Sequence, residues 1–233
     1  MKPIAWLRAA RPSVFALAAG LALTACGSRP PVPDWQINAQ GAAQRATEAY
    51  LSGNERVATA EWQRARSEVA RTGRPELLAR LELMRCAAQG ASLALPPGAP
   101  CEAFEALRED AAAPERAYAD YLAGRFAGLD AAQLPPVHRT VLAAGEDPGA
   151  ALAAMPDPLA RMVAAGALLQ AGRAGPTVLL QASETASAQG WRRPLLAWLL
   201  VRLQRAEQAG ATPEAERLRR QVAIVEGQGA AGR

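Results

Sequence analysis

The sequence predicts an all-α protein made of helical hairpins, about nine to ten helices and no sheet. Three observations lead there. Alanine is abundant and is accompanied by leucine, arginine, glutamate and glutamine, the residues that lose least on entering a helix. Aromatic residues are only 5% of the chain, and runs of valine, isoleucine and threonine that could build strands are scarce. Apolar residues recur at helical spacing, and prolines stand just ahead of several such runs, where their missing N–H costs nothing.

Residues 1–25 read as an export signal. Lys2, Arg8 and Arg11 supply a positive start, and residues 13–23 form an uncharged apolar run. That run is shorter than the ~20 residues needed to cross a bilayer. Small residues and a cysteine follow, and the segment resembles the bacterial lipoprotein signal, whose lipobox Leu23, Thr24, Ala25 and Cys26 match at all four places. The resemblance implies cleavage before Cys26 and attachment of acyl chains to it; two or more chains suffice for stable anchoring. Gly27 stands where an aspartate would retain such a protein at the inner membrane, which implies sorting to the outer membrane; anchorage on its periplasmic face is the expectation. The alternative is an uncleaved signal anchor with an idle cysteine. Lys2 is the only lysine, and loss of the three signal-peptide cations removes three of the four net positive charges, so the remaining chain lacks the concentrated basic surface that nucleic-acid binding requires.

Residues 26–40 contain Pro30, Pro31 and Pro33 without a helical period, and predict an extended tether behind the lipidated cysteine. The folded domain is expected over residues 41–227. Residues 42–52 end at Ser52-Gly53, and Asn54 can cap the next helix. Within residues 55–72, Ala58, Trp62, Ala65 and Val69 make one apolar stripe, with arginines and glutamates elsewhere and Arg64–Glu68 as a surface pair. Pro75, Pro114, Pro158 and Pro194 then recur at intervals of roughly 40 residues, about one helical hairpin each. The runs from Pro75, Pro158 and Pro194 close alike, on Gln89-Gly90, Gln170-Ala171-Gly172 and Gln208-Ala209-Gly210. Over residues 42–75 and 165–226 the chain resembles a degenerate tetratricopeptide-type repeat protein: Ala58, Trp62 and Ala65 keep the packing trio, and Ala182, Ala186 and Pro194 keep the spacing of small residues and terminal proline. This implies hairpins stacked in a right-handed solenoid. Residues 195–203, apolar nearly all round, are expected to form the most buried helix. Residues 213–226 place Ala215, Leu218, Val222 and Val225 inward and pair Glu216 with Arg220 outside; residues 228–233 read as a disordered tail.

Two cysteines remain once Cys26 is lipidated. In an oxidising compartment Cys86 and Cys101 are expected to join across a Pro/Gly-rich connection, contributing ~3 kcal/mol through loop closure; two buried free thiols are the alternative. His138, the sole histidine, reads as exposed or capping, since no nucleophile or orienting acid accompanies it. No ligand cluster for a metal and no cofactor motif is expected. The literal G-x-G-x-x-G at Gly227–Gly232 lacks a strand before it and a helix after it, so it is not a nucleotide loop. Glu184 could serve as the acid of a lytic transglycosylase, but the neighbouring motifs of that family are missing. Tyr118, Tyr121 and Phe126 form an aromatic cluster: core packing between repeats, or an anchor for a partner peptide.

The sequence therefore predicts a non-enzymatic, lipid-anchored scaffold that binds another envelope protein and the membrane, but no nucleic acid or metal. A carboxylate enzyme acting on cell wall or glycan, and a carrier of hydrophobic ligands, are the alternatives. Replacing Cys26 by Ser should abolish incorporation of labelled palmitate and remove the protein from the outer-membrane fraction; normal labelling and fractionation of the variant would refute the lipobox.

Overall fold

The computed structural model describes residues 31–145 and 148–230, and every regular element among them is helical. The export signal and the lipobox cysteine Cys26 lie outside the described residues. Eleven α-helices follow one another: α1 (Asp34–Ser52), α2 (Glu55–Ala70), α3 (Pro75–Ala91), α4 (Glu102–Glu105), α5 (Ala113–Leu122), α6 (Pro136–Ala143), α7 (Gly149–Ala153), α8 (Pro158–Gln170), α9 (Pro176–Gln189), α10 (Arg192–Gln208) and α11 (Thr212–Ala230). Two 3₁₀ turns, Arg108–Asp110 and Ala131–Gln133, fill the middle. The excess over the expected nine to ten comes from α4 and α7, single-turn pieces in the Pro/Gly-rich centre.

The local signals act as the sequence indicates. Pro75 and Pro158 open α3 and α8, and Pro114 and Pro194 sit in the first turns of α5 and α10. Pro136 and Pro176 open α6 and α9 in the same way. The Asn54 side chain accepts from the Val57 N–H, and Asp157 accepts from Leu159 and Ala160 at 2.8 and 3.1 Å. Gly190, at φ +68°, ends α9 in the left-handed conformation that glycine adopts without a Cβ penalty.

Both domain boundaries shift. The segment expected as tether is helical from Asp34, because Asp34 complements the helix dipole and Ala39, Ala42, Ala43 and Ala46 give α1 a buried stripe. Alanines interleaved with glutamines hide that period from a hydropathy reading. At the other end α11 continues to Ala230, so residues 228–230 extend a helix rather than a tail.

The α1 stripe meets Ala58, Trp62, Ala65 and Val69 of α2, all four buried as expected, with Leu81 of α3 closing the cluster. Alanine against alanine lets the axes approach closely, and Trp62 fills the space this leaves. Arg45 spans the hairpin to Glu61 at 2.8 Å. The expected Arg64–Glu68 pair does not form: Arg64 approaches Glu61 at 3.8 Å and Glu68 binds Arg71 at 3.0 Å, both i,i+3. At the C-terminus Ala215, Leu218 and Val222 are buried against Leu199 and Ala206, with Val225 packed beside them. There Arg217 and Arg219 take Glu214 and Glu207, and no Glu216–Arg220 pair occurs among the described residues.

The most buried helix is α8, not α10. Met162 through Leu168 are buried without interruption because α3, α5, α6, α7 and α9 all pack on α8. Helix α10 touches α1, α9 and α11 but leaves Leu200 45% exposed. In a solenoid each repeat touches only its neighbours. Here α3 packs on α8 and α1 on α10, so helices far apart in sequence share one core and the expected open stack is not the packing observed. The Trp198 indole of α10 donates to the Ala91 carbonyl at the end of α3, 3.0 Å away and fully buried.

The α3–α8 crossing is a backbone contact. A Cβ built on Gly166 would lie 2.5 Å from the Gly90 carbonyl oxygen. Gly166→Ala should therefore destabilise the fold by about 1–3 kcal/mol despite the better helix propensity of alanine. Gly227→Ala, a helical position with nothing within 4 Å, should be neutral or stabilising. Urea denaturation of the two variants checks this; equal effects would refute the crossing.

Candidate functional site

Helix α3 carries Arg80 and Met84 one turn apart on an outward ridge, and Met84 is 42% exposed. A depression lies on each side. One, about 360 Å³, lies against Leu83 and is walled by Pro114 and Tyr118 of α5 and by Leu134, Pro135 and Pro136 at the start of α6. The other, about 380 Å³, is bounded by Trp35 and Ala39 of α1 and by Leu77 and Leu81 of α3. Arg80 and Met84 line both, so the two make one double groove. Its rim is cationic. Arg80 grips one oxygen of Glu115 with two N–H donors at 2.6 and 2.9 Å, and Arg74 reaches Glu76 at 2.6 Å. Arg139 donates its Nε to the Leu134 carbonyl at 2.6 Å, which fixes the guanidinium while its η nitrogens carry no partner among the described residues.

Behind this groove lies the aromatic cluster. The structure brings Tyr118, Tyr121 and Phe126 together as expected, but divides their roles. Tyr121 is fully buried, stacked on Phe126 with ring centroids 5.4 Å apart, so it is core and cannot be an exposed anchor. Tyr118 is half-buried and lines the groove; Phe126 is half-buried under the Arg173 guanidinium. His138, expected at the surface or as a cap, is instead buried, with its ring 5.0 Å from Tyr121 and 5.5 Å from Tyr118. It lies on the inner face of α6, beside the buried Val141. Burial lowers its pKa to about 4, only partly opposed by Asp157. Burial likewise raises the Tyr118 and Tyr121 hydroxyls above the ordinary tyrosine range. The His138 Nδ1 and the Tyr121 hydroxyl are both buried without a hydrogen-bond partner among the described residues.

On another side of α3, Cys86 and Cys101 form a disulfide with Cα atoms 5.8 Å apart, tying α3 to the start of α4. A pocket of about 400 Å³ adjoins it, lined by Glu82, Arg85, Gln89 and Glu102. Glu82 is buried and its carboxylate is engaged by Arg66. Glu184 is exposed on α9, without the buried setting a catalytic acid needs. Gly227 lies inside α11, so the G-x-G-x-x-G stretch begins within a helix rather than after a strand. Among the described residues no group of three or more His, Cys, Asp or Glu could hold a metal ion, and no helix is long and apolar enough to cross a membrane.

The sequence reading missed the Arg80–Met84 ridge and the Arg139 fork. Met84 carries no clear sequence signal, because α3 is buried on several sides and shows no single polar face; the fork depends on the Leu134 carbonyl, which no sequence pattern reveals. Comparison with protein-family models, curated proteins and solved structures finds no match to this chain.

The His138 environment sets a pH dependence. With a folded pKa of about 4 against an ordinary 6.5, the neutral ring is the folded form. Its contribution is complete above pH 6.5 and is lost as pH falls towards 4, by about 2 kcal/mol at pH 5. Urea melts at pH 7 and pH 5 should show that loss in the native protein and not in His138→Leu; parallel behaviour of the two would refute a buried neutral histidine.

Proposed function

We propose that this chain is a lipid-anchored scaffold or adaptor on the periplasmic face of the outer membrane, binding another envelope protein as an accessory of assembly, secretion or pilus machinery. The observation that carries the reading is the double groove: open, Arg-rimmed and built on rigid helices, with Met84 exposed on its ridge and the half-buried Tyr118 in one wall. Tyrosine, tryptophan, methionine and arginine are the residues that protein interfaces favour. No nucleophile, base and orienting acid converge there. The lipobox supports the location, and the α1–α2 hairpin supports a tetratricopeptide-like element within residues 42–75.

One observation favours a second reading. Glu82 and Glu102 line the same 400 Å³ pocket beside the disulfide, and a pair of carboxylates is what a glycan-cleaving enzyme uses, although Arg66 engages Glu82 here. Two measurements separate the readings. A photo-crosslinking residue placed at Met84 or Leu77 of the lipidated protein in cells should give protein-sized adducts with an envelope component; adducts from no surface position would refute the scaffold. Release of soluble fragments from purified sacculi, abolished by Glu82→Gln, would establish the enzyme instead.

A further inference from the structure

We propose that the first turn of α1 rests on the bilayer surface, with the Trp35 and Ile37 side chains in the boundary between headgroups and acyl chains. This rests on the lipid anchor at Cys26 and goes beyond it, by assigning which face of the folded body meets the membrane.

Residues 27–33 alone separate the lipidated cysteine from Asp34, the first residue of α1. A chain of that length spans at most roughly 30 Å when fully extended. The start of α1 is therefore held close to the bilayer however the rest of the domain turns. Two large apolar residues stand in that turn. Ile37 is 56% exposed and belongs to none of the buried clusters among the described residues. Trp35 is half-buried in the wall of the α1 depression. Side chains of a helix lean toward its start, so both are carried toward the tethered end rather than away from it. An indole, apolar in its body and polar at its N–H, suits the level of the headgroups.

The anchor makes so small a contact effective. Once the acyl chains are inserted, docking of Trp35 and Ile37 is an intramolecular step at high effective concentration. Two side chains would not bring a free protein to the membrane, but they set how an anchored one sits. Attraction between charges does not supply the contact. Arg74 and Arg80, which line the same depression, already hold Glu76 and Glu115, and Asp34 in the first turn is acidic. The contact is therefore apolar, and indifferent to anionic lipid and to salt. Seated in this way, the depression walled by Trp35 opens beside the lipid.

The test places the lipidated mature protein in phosphatidylcholine vesicles with and without brominated acyl chains, and reads tryptophan emission. Trp62, Trp191 and Trp198 are buried and Trp6 leaves with the signal, so the difference between the native protein and Trp35→Phe isolates Trp35. Bromine should remove at least about half of the Trp35 emission. Adding phosphatidylglycerol or raising the salt should leave that loss unchanged. Ile37→Asp, on an exposed side chain, should reduce the loss at least about threefold, since a carboxylate is disfavoured in that boundary, while the protein still floats with the vesicles through its acyl chains. Equal quenching of the native protein and Trp35→Phe, equal quenching of the native protein and Ile37→Asp, or quenching that appears only with phosphatidylglycerol would each overturn the proposal. So would photo-crosslinks in cells from Ile37 to a protein in place of phospholipid. Failure here is distinct from failure of the anchor: flotation with unquenched Trp35 would keep the anchor and remove this contact, whereas a mature protein carrying no acyl chain would remove both.

Discussion

The structure depends on how closely α8 lies against its neighbours. At Gly166 its backbone meets the Gly90 carbonyl with no room for a Cβ, and near its end Gln170 and Ala171 come as close to Gly124, where a Cβ would sit 2.6 Å from backbone atoms. Gly124 is doubly constrained, since its φ of +72° is itself a glycine conformation. These two contacts fix α3 and the end of α5 on one central rod. The remaining core, from Met162 to Leu168, is then enclosed by α3 and α9 and by the shorter α5, α6 and α7. Gln170 extends the same crossing into the loop after α3, where its amide donates to the Leu95 carbonyl at 3.2 Å and accepts from Gly98 N–H at 2.8 Å.

Helix α3 accordingly serves several surroundings at once. Leu83 and Cys86 face the core, Leu81 closes the α1–α2 cluster, and Arg80 and Met84 are left outward. A helix used on so many sides cannot show one clean apolar face, so its amphipathic pattern is weak. The groove inherits rigidity from this arrangement: its ridge stands on a helix held by the disulfide, by the Gly90–Gly166 crossing and by the Trp198 indole. The aromatic cluster behind Tyr118 stiffens the other wall.

Helical content and its punctuation were legible in the sequence because they depend on local chemistry. The prolines at helix starts, the Asn54 cap, the Trp62 stripe and the Cys86–Cys101 pair all follow from spacing within a few turns. Tertiary placement was less legible. His138 read as an exposed or capping residue because no nucleophile or orienting acid accompanies it in the sequence; its burial comes from Tyr118 and Tyr121, reached only through the fold. The apolar run of α10 suggested the deepest helix, yet depth belongs to α8, whose alanines carry less hydropathy but meet helices on more sides. The groove combines α1, α3, α5 and α6, and no linear pattern links Trp35 to Arg139.

The α1–α10 contact bears on the order in which the molecule can be completed. The Trp191 indole donates to Glu48 at 3.1 Å and Arg193 donates to the Tyr50 carbonyl at 2.8 Å, each across 143 residues, while the Arg193 guanidinium lies over the Tyr50 ring. During synthesis the first hairpin emerges early and can pair through its own alanine stripe. Its far end then waits for nearly the whole chain before its last partners exist. Domains otherwise tend to finish from the N-terminus onward, but this one is locked by its penultimate helix. A nascent chain stopped before α10 keeps the turn between α1 and α2 uncovered, however much of the sequence has already been made.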